Sequence, residues 1–142
     1  MTKRRSQRRQ GLRVRADYAC EYCHIPEMLT GGRLTEDHII PASAGGHDKV
    51  ENLCWCCWWC NVYKGIRTRA QDPRTGAVVS LFHPRRDPWK THFRWGRDGL
   101  RIIGRTTTGR TTVEALRMND PDRVETRRFW VEHRIHPRSY GG

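Results

Sequence analysis

Residues 37–65 read DHIIPASAGGHDKVENLCWCCWWCNVYKG. An acid and a base stand side by side at the start, Asp37 and His38. The run Leu34–Ile40 around them is predicted as a strand, bounded by Gly31-Gly32 before it and Pro41 after it. Pro41 to Asp48 is predicted as a loop with Gly45-Gly46 at its tip. Asn61 to about Ala70 is predicted as a short helix that opens on Asn61, a suitable helix-start residue. Lys64, one turn on, shares the face of Asn61.

These residue types fit the hydrolysis of a phosphodiester. The reaction needs a base for water, a divalent ion for the charge that builds on phosphate, and cations for the backbone. His38 supplies a base, because an ordinary pKa of about 6.5 lets it take a proton near neutral pH. Asp37 offers one hard oxygen and Asn61 a neutral one. Two protein oxygens suit Mg²⁺, which keeps several waters of its own. Lys64 is placed to reach a phosphate.

The six cysteines fall in two groups, Cys20 and Cys23, then Cys54, Cys56, Cys57 and Cys60. The basic start MTKRRSQRRQ is followed by no apolar stretch, so a cytoplasmic protein is expected. In that compartment clustered cysteines point to metal rather than disulfides. Two C-x-x-C turns aim four thiolates at one zinc ion. The gap between the turns is long, but doubling a loop costs only about 0.6 kcal/mol, against roughly 10–16 kcal/mol for structural zinc in small peptides. Spacing alone leaves the second turn open, because Cys54/Cys57 and Cys57/Cys60 are both C-x-x-C. His24 beside Cys23 is a further candidate ligand, although four cysteines suffice.

Taken in order, Cys20-x-x-Cys23, Asp37-His38-Ile39-Ile40-Pro41, Gly45-Gly46, Asn52-Leu53, Cys57-x-x-Cys60-Asn61 and Lys64-Gly65 resemble the zinc-containing HNH endonucleases. The resemblance spans roughly residues 20–65 and selects Cys57 with Cys60, which leaves Cys54 and Cys56 as small buried residues. It implies an α+β fold with a small ββα-metal (His-Me finger) core stapled by a four-cysteine zinc site. It places the general base on His38 and the metal ligands on Asp37 and Asn61. Asn52 would hold the loop and orient His38. With asparagine at the third motif position there is no imidazole ligand, so Mg²⁺ or Mn²⁺ is expected at the catalytic site and Zn²⁺ at the cysteines. Trp55, Trp58 and Trp59 are expected to cover the zinc knuckle.

Outward from this core the chain divides into a basic arm (1–17), the nuclease core (18–70) and an extension (71–142). The arm is expected to be disordered before Gln7 and helical later, since Leu12 and Ala16 are four apart. The extension reads as a turn at Asp72–Gly76, a strand over Ala77–Phe82, a hairpin of Phe93–Trp95 with Leu100–Ile103, and helices over Thr112–Met118 and Pro121–Ile135. Its Leu81-Phe-His-Pro-Arg-Arg and His92-Phe-Arg-Trp also resemble a bacterial HNH subgroup. His47, His83, His92, His133 and His136 are read as surface or packing residues, with His83 beside Arg85-Arg86 the most suggestive of them.

The chain has 142 residues and a formal net charge of +12. A polyanion partner follows, nucleic acid first (DNA, or else RNA) and an anionic membrane surface a distant second. No run approaches the roughly 18 apolar residues of a membrane span, so no membrane partner is expected. Lys64, Arg67, Arg85 and Arg86 are the candidate backbone contacts. The function expected is metal-dependent endonuclease action on DNA. A non-catalytic, zinc-stabilised nucleic-acid-binding module is the alternative.

Overall fold

The computed structural model describes residues 2–31 and 34–136. Gly32 of the expected strand boundary, Met1 of the arm and the last residues of the extension lie outside the described residues.

Helix α1 spans Lys3–Arg15 and begins before Gln7, where disorder was expected. Two things explain the difference. The Thr2 hydroxyl accepts from the Arg5 amide at 3.1 Å and caps the helix. Tertiary contacts then hold a helix that would be marginal in isolation at this length. Leu12, the buried residue of α1, is only 2% exposed, and such burial stabilises by about 1.5–3 kcal/mol. Arg13 pairs with Glu27 at 2.8 Å, and Arg15 donates to the carbonyls of Val50 and Leu53.

Strands β1 (Thr35–His38) and β2 (Leu53–Cys56) form an antiparallel pair with Asp37 opposite Cys54 and His38 opposite Leu53. Every residue of β2 is buried, and α1 packs on it. Alternation along β1 sends Asp37 inward and leaves His38 half-exposed on the other face. Helix α2 (Trp58–Lys64) follows at once. It opens on Cys57 and not on Asn61, because the Cys57 sulfur accepts from the Cys60 amide at 3.4 Å and so caps the helix. The order is hairpin then helix, ββα, within a mixed α+β chain.

The extension adds two further antiparallel pairs, β3 (Arg69–Gln71) with β4 (Val78–Ser80), and β5 (Phe93–Trp95) with β6 (Ile102–Gly104). A single turn, α3 (Trp89–His92), leads into β5. Helix α4 (Thr107–Ala115) begins earlier than the sequence suggested, because Thr106 caps it through the Gly109 amide at 3.0 Å. Its Thr112 faces the interior and accepts from the Phe82 amide at 2.9 Å. Helix α5 (Pro121–Glu132) is capped by Asp120. The buried apolar residues form one cluster that runs from Leu12 through the cysteines to Leu116 and Met118.

Candidate active site

Asp37 is buried at the face of β1 that looks toward α2. Its Oδ2 receives the Lys64 ammonium at 3.0 Å, the Tyr22 hydroxyl at 3.2 Å and the Cys54 thiol at 3.9 Å. Burial, with Cys54 and Asp37 nearby, keeps the Tyr22 phenol well above its ordinary pKa, so it remains a donor. Lys64 also donates to the His38 carbonyl at 3.2 Å, and its side chain is 2% exposed. The sequence placed Lys64 on a phosphate. Its ammonium is instead enclosed as the counter-ion of Asp37, reaching from the C-terminal end of α2 to β1. Asn61 lies in the middle of α2, half-exposed, one turn before Lys64.

His38 points the other way. Its Nε2 lies 2.9 Å from Asp48 Oδ1, and its side chain is 42% exposed. Arg8 of α1 joins the same carboxylate at 3.2 Å and bridges to Glu36 at 3.2 Å. The imidazole contact first, and then Arg8, hold the Asp48 carboxyl below its ordinary range. Neither Asp48 nor Arg8 was singled out from sequence. Asp48 sits in a Gly-rich loop with no spacing rule to its histidine, and Arg8 arrives from a helix thirty residues away in sequence.

Asn52 fixes that loop. Its Oδ1 accepts from the Ile40 amide at 2.9 Å, and its Nδ2 donates to the carbonyls of Ile40 and His47, each at 2.8 Å. It does not bond to His38 in the described contacts. It closes the ends of the loop that carries Asp48. Gly46 makes the closure possible, since a Cβ there would overlap the Ile40 carbonyl.

The sulfurs of Cys20, Cys23, Cys57 and Cys60 all lie within 4.8 Å of one another and are buried. That donor set suits a tetrahedral metal ion. Cys54 and Cys56 stay outside it, and burial pushes the Cys56 thiol up to about 12, that of a neutral packing residue. His24 is not in the cluster; its ring stacks on Trp89, 4.1 Å between centroids. The cluster is closed by α5, which the sequence did not suggest. Arg123 places Nη2 3.2 Å from the Cys60 sulfur and 4.0 Å from Cys57. Burial works against its charge, but the sulfurs of Cys60, Cys23 and Cys57 outweigh it and raise its pKa. Of the tryptophans expected as a cover, Trp59 lines a small cavity beside Cys23 and Arg123, whereas Trp58 is 64% exposed and Trp55 is buried under α1, with Arg9 over its ring.

The remaining expected backbone contacts fare unequally. Arg67 donates to the carbonyls of Tyr63 and Ala115. Arg85 pairs with Glu21. Arg86 is exposed and lines a cleft with Ile40, Asn52 and His83.

The comparison with known families covers this same stretch. Residues 20–73 match the HNH endonuclease family. The HNH segment begins at the first cysteine of the cluster and includes Asp37, His38, Asn52 and Asn61. The match assigns it to nuclease or nucleic-acid-related chemistry. No curated protein and no solved structure gives a significant match to the chain. Among the described residues no helix is long and apolar enough to cross a membrane.

Proposed function

We propose that the protein is a divalent-metal-dependent endonuclease that hydrolyses phosphodiester bonds of DNA in the cytoplasm, with His38 as general base. The observation that carries this reading is the solvent-open His38, held by Asp48, within the segment that matches the HNH endonuclease family. On the same strand Asp37 is turned toward α2 and held by Lys64.

With a carboxylate at Nε2, His38 carries its proton there and keeps a lone pair on Nδ1. Nδ1 takes a proton from the attacking water, and Asp48 balances the imidazolium that results. Lys64 and Tyr22 fix the direction of the Asp37 carboxylate. Asp37 and Asn61 are the residues that would hold a divalent ion, through a carboxylate and an amide oxygen. Oxygen donors of this kind suit Mg²⁺ or Mn²⁺. When bound, such an ion stabilises the charge on phosphate and on the leaving oxygen. The four cysteines would hold structural Zn²⁺, with Arg123 offsetting the negative charge of four thiolates.

The test is a Mg²⁺ titration of plasmid nicking with Asp37→Asn, which keeps an oxygen at the position. The variant is expected to need a higher Mg²⁺ concentration for half-maximal cleavage at unchanged zinc content. Superimposable titrations would contradict the assignment of Asp37. Tight, salt-dependent binding with no cleavage by the unaltered protein would favour the non-catalytic zinc module.

A further inference from the structure

The basic residues of α1 divide into two sets. The helix contains Lys3, Arg4, Arg5, Arg8, Arg9, Arg13 and Arg15, and no acid. Those toward its C-terminal end are committed to the protein. Arg8 bridges Glu36 and Asp48, Arg13 pairs with Glu27, Arg15 binds backbone carbonyls, and Arg9 lies 5.5 Å over the Trp55 ring. Arg4 and Arg5 are exposed and have no ion-pair partner among the described residues.

Their position is what matters. Arg4 and Arg5 line an open cleft of about 690 Å³ together with Arg8, Glu36, His38 and Asp48. The half-exposed imidazole therefore shares this cleft with two cations that no ion pair neutralises among the described residues. Of the four cations expected on the backbone, three are turned to other tasks, Lys64 on Asp37, Arg85 on Glu21 and Arg67 on carbonyls, while Arg86 is exposed in another cleft.

We propose that this cleft is the track of the phosphodiester backbone, with Arg4 and Arg5 gripping phosphates beside the one presented to His38. Guanidinium forks suit phosphate oxygens in a two-point contact. The ion pairs of Arg8 keep α1 beside the site, so the arm is part of the binding surface. This assignment rests on the reading of His38 as the base.

The experiment separates the two. Affinity for a labelled DNA duplex is measured in the full chain carrying His38→Ala, so that no cleavage intervenes. It is compared with the same chain carrying Arg4→Gln and Arg5→Gln, and with a control carrying Arg97→Gln and Arg101→Gln, which removes equal charge from the exposed β5–β6 hairpin. Loss of the two phosphate contacts should weaken binding on the order of 10-fold or more. It should also flatten the log–log salt slope by about 1.8, or about 0.9 per contact. The control should lose clearly less. Equal losses in the two double variants, or an unchanged slope for Arg4→Gln/Arg5→Gln, would overturn the track. Thermal melts of both variants confirm that each is folded. Failure of the unaltered chain to nick DNA, with these binding differences intact, would remove the role of His38 and leave the cleft as a binding surface.

Discussion

Lys64 carries a charge that water hardly reaches. Its ammonium and the Asp37 carboxylate are 2% and 9% exposed, and each is the other's counter-ion. Removing one member of a buried pair strands the other, at a cost of roughly 3–5 kcal/mol. Lys64→Met is therefore expected to lower the stability measured by denaturant unfolding by that amount. A residue that only touched phosphate would leave stability unmoved and raise KM alone. Arg123 offers a parallel case beside the cysteines. Arg123→Gln is expected to speed release of zinc to a chromogenic chelator, and an unaltered release rate would show that the contact to Cys60 is incidental. At this scale the sequence was informative where chemistry is local. Asp37-His38 stands out as an adjacent acid and base, and Cys20-x-x-Cys23 as a turn, whereas the second C-x-x-C is selected only by the family resemblance. Tyr22, Asp48 and Arg123 do not stand out, since each acquires its role from a partner 10 to 63 residues away.

Elements decide where those side chains end up. The loop between β1 and β2 is drawn shut by Asn52 and by the close approach of Gly46 to Ile40. Gly46→Ala must push the loop aside, and Asp48 with it. A displacement near 1 Å at a catalytic group can cost about 100-fold in rate. Cleavage is expected to fall on that order with zinc content preserved; an active Gly46→Ala would refute the role of the loop. Asp72 does similar work between the β3–β4 turn and α4. A hydrogen bond from Arg110 comes first among the causes that hold its carboxyl at about 2. The unfolded-state value is about 3.9, so the folded value is depressed. The stabilisation is then present above about pH 4 and is lost as pH falls toward 2. Asp72→Asn should be less stable than the unaltered protein at pH 6, with the gap closing over that acid window. The sequence showed these elements well where turns and caps mark them, as at Asp72–Gly76 and Pro121. It failed where tertiary contact sets the boundary. Strand β2 is a fully buried run with no alternation, α2 starts on a sulfur cap, and α1 is held by ion pairs from other segments.

Across the whole molecule, the +12 charge is arranged rather than spread. Several of the 27 Lys and Arg side chains are turned inward, onto Asp37, Glu21, Glu27, Asp72 and the cysteine sulfurs, and serve as internal glue. What remains open beside His38 lies on the first residues of α1, and Arg86 is exposed in a separate cleft. That distribution was not legible from composition, which counts charges without their partners. A chain with 36% hydrophobic residues builds a modest core, and the cysteine cluster lies inside it. Stripping the metal with a strong chelator should unfold the protein cooperatively, since structural zinc contributes on the order of 10–16 kcal/mol in small domains. Retention of the native circular dichroism spectrum in metal-free protein would show that the core stands without it. The central claim is that His38 takes the proton from water. Its most direct test is the rate of plasmid nicking in Mg²⁺ by the unaltered protein and by His38→Ala, with zinc content and DNA affinity shown to be equal. A general base contributes about 10²- to 10⁴-fold, so the variant should be slower by that factor. Equal nicking rates would contradict the account.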